Sequence, residues 1–140
     1  MIFDFRNLTR FEVEKNFFQK IIQRLVLLKT TLRNFEISLV LMDDAKIQQL
    51  NRQYRYENKS TDILSFNLGK FGQNQIAEIF ISIEKARIQA KEMGHSLNQE
   101  LAILFVHGVL HILGYGDETE RERQKMFHTQ NKILKSLGQI

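Results

Sequence analysis

Glu100–Asp117 reads ELAILFVHGVLHILGYGD, and its interpretation decides how the rest of the 140-residue chain is arranged. Leu101–Leu113 is an almost unbroken apolar run whose ionisable side chains are His107 and His111 alone. A spacing of four places both imidazoles on one face of a helix, one turn apart. Gly114 follows at once, the residue type that ends a helix in a left-handed conformation and turns the chain back. Asp117 comes three residues later, where a reversing chain can bring a carboxylate beside the two rings. Two imidazoles and one oxygen donor, with a fourth position open, is the donor set of a catalytic zinc site.

The bland reading is two core histidines, each bonded to a backbone carbonyl. Against it, a buried polar group without a partner costs about 1–3 kcal/mol, and one shared ion satisfies both rings. Gly108 also needs a reason, because glycine inside a helix costs roughly 1 kcal/mol relative to alanine. Close approach of a backbone or a substrate would supply one, and so would packing. Asp117 has its own structural alternative, as a cap or a complement to the dipole of the helix that follows.

Outward from this stretch, the apolar spacing predicts one mixed α/β (α+β) domain over 1–140: a sheet of about four strands with about five helices, in the order βαβαββααα. Ile2, Phe3 and Phe5 suggest a first strand. Thr9-Arg10-Phe11-Glu12 matches a capping box, predicting a helix from about Phe11 to Lys29. Glu36–Met42 reads as a buried strand, and Asp43 or Asp44 as the cap of a helix through Ala45–Tyr54. Arg52–Lys59, polar and basic, reads as a loop. Strands are expected over Thr61–Phe66 and Ile76–Ser82, with a turn or loop from Gly69 to Gln75 between them. Ser82 caps a helix over Ile83–Met93 that stops at Gly94. Ser96-Leu97-Asn98-Gln99 and Thr119-Glu120-Arg121-Glu122 are further capping boxes, opening the histidine helix and a last helix that turns Met126, Ile133, Leu134 and Leu137 inward.

Composition narrows the class. Hydrophobic residues make up 43% and charged residues 26%, as in soluble globular domains. With no cysteine, disulfides and thiolate metal sites are excluded, which suits a cytoplasmic protein. The N-terminal MIFDFRNLTRFEVEK does not read as a secretory signal, and Leu101–Leu113 is too short to span a bilayer, so no membrane partner is expected. A net charge of +4 permits a polyanionic partner such as RNA without requiring one.

HGVLHILGYGD resembles the HGxLHLxGYDH signature of the YbeY family, bacterial metal-dependent endoribonucleases. Leu50-Asn51, Tyr54-Arg55 and Thr61-Asp62-Ile63-Leu64-Ser65-Phe66 resemble that family's LNxxYR…TDVLSF block. Ile76–Ile79, Gln99-Glu100-Leu101, Met126 and Gln130 also stand where relatives place similar residues, whereas the first 35 residues match only by pattern. The resemblance implies a zincin-like helix holding one transition-metal ion, zinc by its donors, through His107, His111 and Asp117. It implies Arg55 and His107 as catalytic residues, with Arg55 stabilising charge on the phosphate; a solvated loop arginine is the alternative. Arg52 and Lys59 would join Arg55 in holding substrate, and Lys70 could extend the track. The implied substrate is single-stranded RNA in ribosomal RNA precursors, cut during rRNA processing and ribosome quality control, with the small ribosomal subunit and its factors as partners.

The chain departs from the family at Tyr115-Gly116-Asp117, where relatives read Tyr-Asp-His, so a carboxylate replaces the third histidine. A slip of one would make Glu118 the donor. Glu78 stands where aspartate is usual. Two other functions compete. A zinc peptidase of the H-E-x-x-H kind needs glutamate as general base where this chain has Gly108. A non-catalytic ribosome-associated RNA-binding factor would have a structural metal closed by a fourth protein ligand, for which His95 and His128 are the spare histidines.

Overall fold

Phe35–Met42 is apolar almost throughout because it runs through the interior of the sheet, covered on both faces. In a computed structural model, which describes residues 1–59 and 61–138, the elements in chain order are β1 (Ile2–Asn7), α1 (Lys15–Leu28), β2 (Phe35–Met42), α2 (Asp44–Arg55), β3 (Ile63–Phe71), β4 (Asn74–Ser82), α3 (Ile83–Met93), α4 (Leu97–Ile112) and α5 (Glu120–Ser136). This is the expected order, with a 3-10 turn over Thr30–Asn34 added before β2. The strands lie β1-β2-β4-β3, the first three mutually parallel and β3 antiparallel at one edge.

Helix α4 is the centre of the core. Ten of its sixteen residues are buried, which is what apolarity around the whole circumference demands. Phe105 packs edge-on to Phe18 of α1 at 5.4 Å and meets Phe3 of β1 at 5.7 Å between ring centroids. Leu39, Ile79 and Ile81 supply the sheet side, and Met126 and Ile133 of α5 close the core. On the other face of the sheet Val40, Met42 and Leu64 pack beneath Ile47 of α2. The capping boxes at Ser96/Gln99 and Thr119/Glu122 both form, as do the Asp43 and Ser82 caps.

Three expectations are corrected. Thr9–Glu12 opens no helix: Thr9 is held by Asn7 Oδ1 at 2.7 Å, its own hydroxyl accepts from the Phe11 N–H at 3.2 Å, and α1 begins only at Lys15. The local turn competes with the cap and wins. Arg52–Arg55 belong to α2 and not to a loop, because Ile47, Leu50 and Tyr54 carry a helical apolar period through the charged residues. β3 continues to Phe71, leaving only Gly72-Gln73 as the hairpin turn. Gly69, at φ +93°, absorbs a register shift inside the strand as a bulge.

Candidate metal centre

The end of α4 assembles the site. The Gly114 N–H donates to the His111 carbonyl and the Tyr115 N–H to that of Leu110, both at 3.0 Å, while Gly114 takes φ +103°. The reversal is then pinned from outside, since Lys29 Nζ donates to the Tyr115 hydroxyl at 2.7 Å. That hydrogen bond is the main reason the phenol pKa lies below its usual value. A Cβ on Gly116 would meet the Glu122 carboxylate, so glycine here lets Glu122 keep its place in the Thr119 capping box without moving aside. Asp117 arrives beside the histidines as a result.

His107 Nε2 and His111 Nε2 stand 3.0 Å apart, and His111 Nε2 is 3.5 Å from Asp117 Oδ2. One donor atom from each of the three residues lies within 4.8 Å of the others. Ligands about 2.0–2.2 Å from a tetrahedral zinc are separated by roughly 3.3–3.5 Å, so this group could hold a metal ion after small adjustments. On the far side of the ring, His107 Nδ1 is 2.9 Å from Gln130 Oε1 on α5. A glutamine oxygen there accepts the Nδ1 proton and leaves Nε2 as the lone pair facing the site. Burial first, then the neighbouring His107, lower the His111 pKa from its ordinary value, with a smaller push from Arg55 and opposition from Asp117. A lowered value favours the neutral form that a metal ligand requires.

These donors face a cavity of about 470 Å³ that also takes in Arg55, Asp62 and Ser65. Arg55 leans over the Phe66 ring, 5.3 Å from its centroid, and its Nη2 donates to the Ser65 carbonyl at 3.1 Å. The guanidinium is thereby fixed beside the histidines. Asp62, on the same wall, accepts from Gln89 Nε2 at 3.2 Å. Gly108 has a packing explanation: a Cβ would stand 2.8 Å from Ile63 Cδ1 and 2.9 Å from Ser65 Oγ. Glycine lets α4 approach β3 closely enough to put the cavity wall and the imidazoles together.

Of the residues expected from sequence, the fold brings Arg55, His107, His111 and Asp117 to one place. Arg52, Lys59 and Lys70 are exposed and do not line the cavity, and Lys59 pairs with Glu57 at 3.6 Å. Glu118 is outside the donor group, its carbonyl accepting from Arg123 at 3.3 Å. Nor does either spare histidine reach the site. His95 is bound to the buried Glu100 at 2.7 Å, and His128 is exposed on α5. Glu78 sits in β4 between Ser38 and Phe66. Sequence alone assigns no role to Asp62, Ser65, Tyr115 or Gln130, whose only signal is membership of the TDILSF, GYGD and C-terminal blocks.

The YbeY family profile, described as endoribonuclease YbeY, matches residues 4–138. Endoribonuclease YbeY of Caldicellulosiruptor bescii is 45% identical over 118 residues, covering 75% of each chain. That of Carboxydothermus hydrogenoformans is 46% identical over 103 residues, covering 73% of this chain and 72% of the relative. The solution structure of TM1509 from Thermotoga maritima superposes with a TM-score of 0.68 over 97% of this chain and 89% of that one, and at 21% identity it speaks for the fold alone. With the family profile matched almost end to end and these two relatives at 45% and 46% identity, this chain belongs to the YbeY endoribonuclease family.

Proposed function

We propose that this chain is a metal-dependent endoribonuclease that cleaves single-stranded RNA in ribosomal RNA processing and ribosome quality control. The observation that carries the reading is the convergence of His107, His111, Asp117 and Arg55 on one polar cavity. Two nitrogens and a carboxylate oxygen suit zinc. Such an ion, when bound, lowers the pKa of its water to about 7 and polarises a phosphoryl oxygen.

The chain's own residues do the rest. Arg55 offers a guanidinium already held in plane by Ser65 and Phe66, suited to bidentate contact with a phosphate's non-bridging oxygens. It would neutralise the charge that grows there as the phosphodiester is attacked. Gln130 keeps the His107 tautomer with Nε2 turned inward. Arg52 and Lys59, exposed on either side of Arg55 along the chain, suit the flanking phosphates. Precursor rRNA on the small ribosomal subunit, in the cytoplasm, is the proposed setting. No helix among the described residues is long and apolar enough to cross a membrane.

A peptidase is disfavoured because position 108 is glycine, so the glutamate base of H-E-x-x-H is missing. A closed structural site is disfavoured because the donor group among the described residues has three members, with His95 engaged elsewhere. The test compares one RNA sequence as single strand and as duplex, with and without chelator, on parent and Arg55→Ala. Cleavage should be confined to the single strand, stop with chelator and return with zinc, and be lost in Arg55→Ala while metal stays bound. Cleavage that ignores both chelator and the arginine would overturn the reading.

A further inference from the structure

Resting on the endoribonuclease reading, we infer that Tyr56 is a stacking platform for a base of the single-stranded RNA next to the phosphate held by Arg55. Helix α2 ends at Arg55, which lines the cavity, and Tyr56 is the very next residue. Tyr56 has φ 58° and ψ 26°, and among the described residues it is the one non-glycine side chain at positive φ. This is the helix-end position that glycine ordinarily fills, because a Cβ there meets steric resistance that glycine escapes.

Packing does not compensate for the strain. The Tyr56 side chain is 91% exposed, more than any other large apolar residue described. Its backbone nevertheless cannot relax. The Tyr56 N–H donates to the Asn51 carbonyl, the Glu57 N–H donates to the same oxygen at 3.3 Å, and the side-chain amide of buried Asn51 donates to the Lys59 carbonyl at 2.9 Å. Both ends of the loop are therefore tied to α2, and the backbone that carries the ring is held with the side chain directed into solvent. For the fold alone, glycine or asparagine would serve better here. Strain that the surroundings enforce, in the residue next to a cavity-lining arginine, points to a ligand.

The surrounding charge says which one. Arg52, Arg55 and Lys59 bracket the ring in sequence, opposed by Glu57, which pairs with Lys59 at 3.6 Å. Exposed aromatic surface among cations is the combination that binds single-stranded nucleic acid, the cations following the backbone and the ring taking a base face. A duplex, its bases already stacked, offers that ring nothing.

The test is steady-state cleavage of a short single-stranded RNA by metal-loaded parent, Tyr56→Gly, Tyr56→Phe and Tyr56→Trp, with a melting curve for each. Tyr56→Gly should raise KM roughly 5- to 150-fold, the span expected for one lost stacking contact, with the larger part of its effect on KM and not on kcat. The same variant should melt about 2–5 °C higher than the parent, because glycine relieves the left-handed strain. Phenylalanine and tryptophan should retain the parent KM, and Tyr56→Trp, the sole tryptophan in the chain, should lose fluorescence on adding RNA. An unchanged KM in Tyr56→Gly, or a lower melting temperature, overturns the inference. A parent that cleaves no single-stranded RNA would overturn the endoribonuclease reading itself, and this inference with it.

Discussion

Gly108→Val should fold but be less stable than the parent and a poorer nuclease. A Cβ at this position would lie 2.8 Å from Ile63 Cδ1, 2.9 Å from Ser65 Oγ and 3.4 Å from Ile79 Cδ1. Carbon contacts are optimal at about 3.5–4.0 Å, so the first falls short by more than half an ångström, and the carbon–oxygen contact to Ser65 is also closer than real Cβ atoms show. Ile63 can swing its terminal methyl aside. The Ser65 oxygen can retreat only by turning about the Cα–Cβ bond to another rotamer. For Gly108→Ala the overlap of a single carbon is offset by a gain in helix propensity of about 1 kcal/mol, so alanine should be close to neutral. Valine adds two carbons and keeps only a few tenths of that gain, so overpacking of about 1–3 kcal/mol should dominate. For a chain of this size that is a fall in melting temperature of roughly 4–12 °C. The strand that is pushed carries the Ser65 carbonyl that orients Arg55, so cleavage should fall further than the loss of folded protein accounts for. Thermal melts and RNA cleavage on parent, alanine and valine variants test this. If valine melts with the parent and cleaves as fast, α4 does not press on β3 and Gly108 owes its place to something else.

Three other outcomes are expected. Gln130→Leu should fold normally but lower metal affinity about 10- to 100-fold, as measured by competition with a chromogenic chelator; equal affinity would mean that the His107 tautomer needs no partner on α5. Asp117→Ala should weaken metal binding while Asp117→His preserves or strengthens it, and indifference to both, read in the same assay, would exclude Asp117 as the third ligand. The lowered His111 pKa sets a pH dependence for the metal-free protein. Between the ordinary value of 6.5 and the lower folded value the unfolded chain binds more protons, so stability falls as pH drops through that window. His111→Asn should flatten this part of the stability profile; a parallel profile would show that His111 does not contribute to it.

Much of the fold was legible because strong local signals agreed with the tertiary structure. The boxes at Ser96/Gln99 and Thr119/Glu122, the stops at Gly94 and Gly114, and the apolar β2 each carry their meaning within a few residues. Thr9–Glu12 has the same spelling as a capping box yet fails as one, because Asn7 claims the threonine first. Arg52–Arg55 looked like a loop because charged residues hide a helical period carried by Leu50 and Tyr54. Gly69 looked like a turn because glycine marks bulges and turns alike, and only the pairing with β4 separates them. At the site, a spacing of four followed by a glycine stop is the signal that singles out His107, His111 and Asp117, whose donor atoms the fold places within 4.8 Å of one another. Gln130 and Asp62 have no such local signature. They reach the site through packing, Gln130 from a helix 23 residues downstream of His107 and Asp62 from the approach to the edge strand.

In the proposed function, His107, His111 and Asp117 hold one ion on which RNA cleavage depends. Chelator-stripped protein should be titrated with zinc while bound metal and cleavage of a single-stranded RNA are followed together, for the parent and for His107→Ala. Both signals in the parent should rise in step and saturate at one ion per chain, and His107→Ala should show neither at the same zinc concentrations. Full cleavage by stripped protein, or equal metal uptake by parent and variant, would contradict the claim.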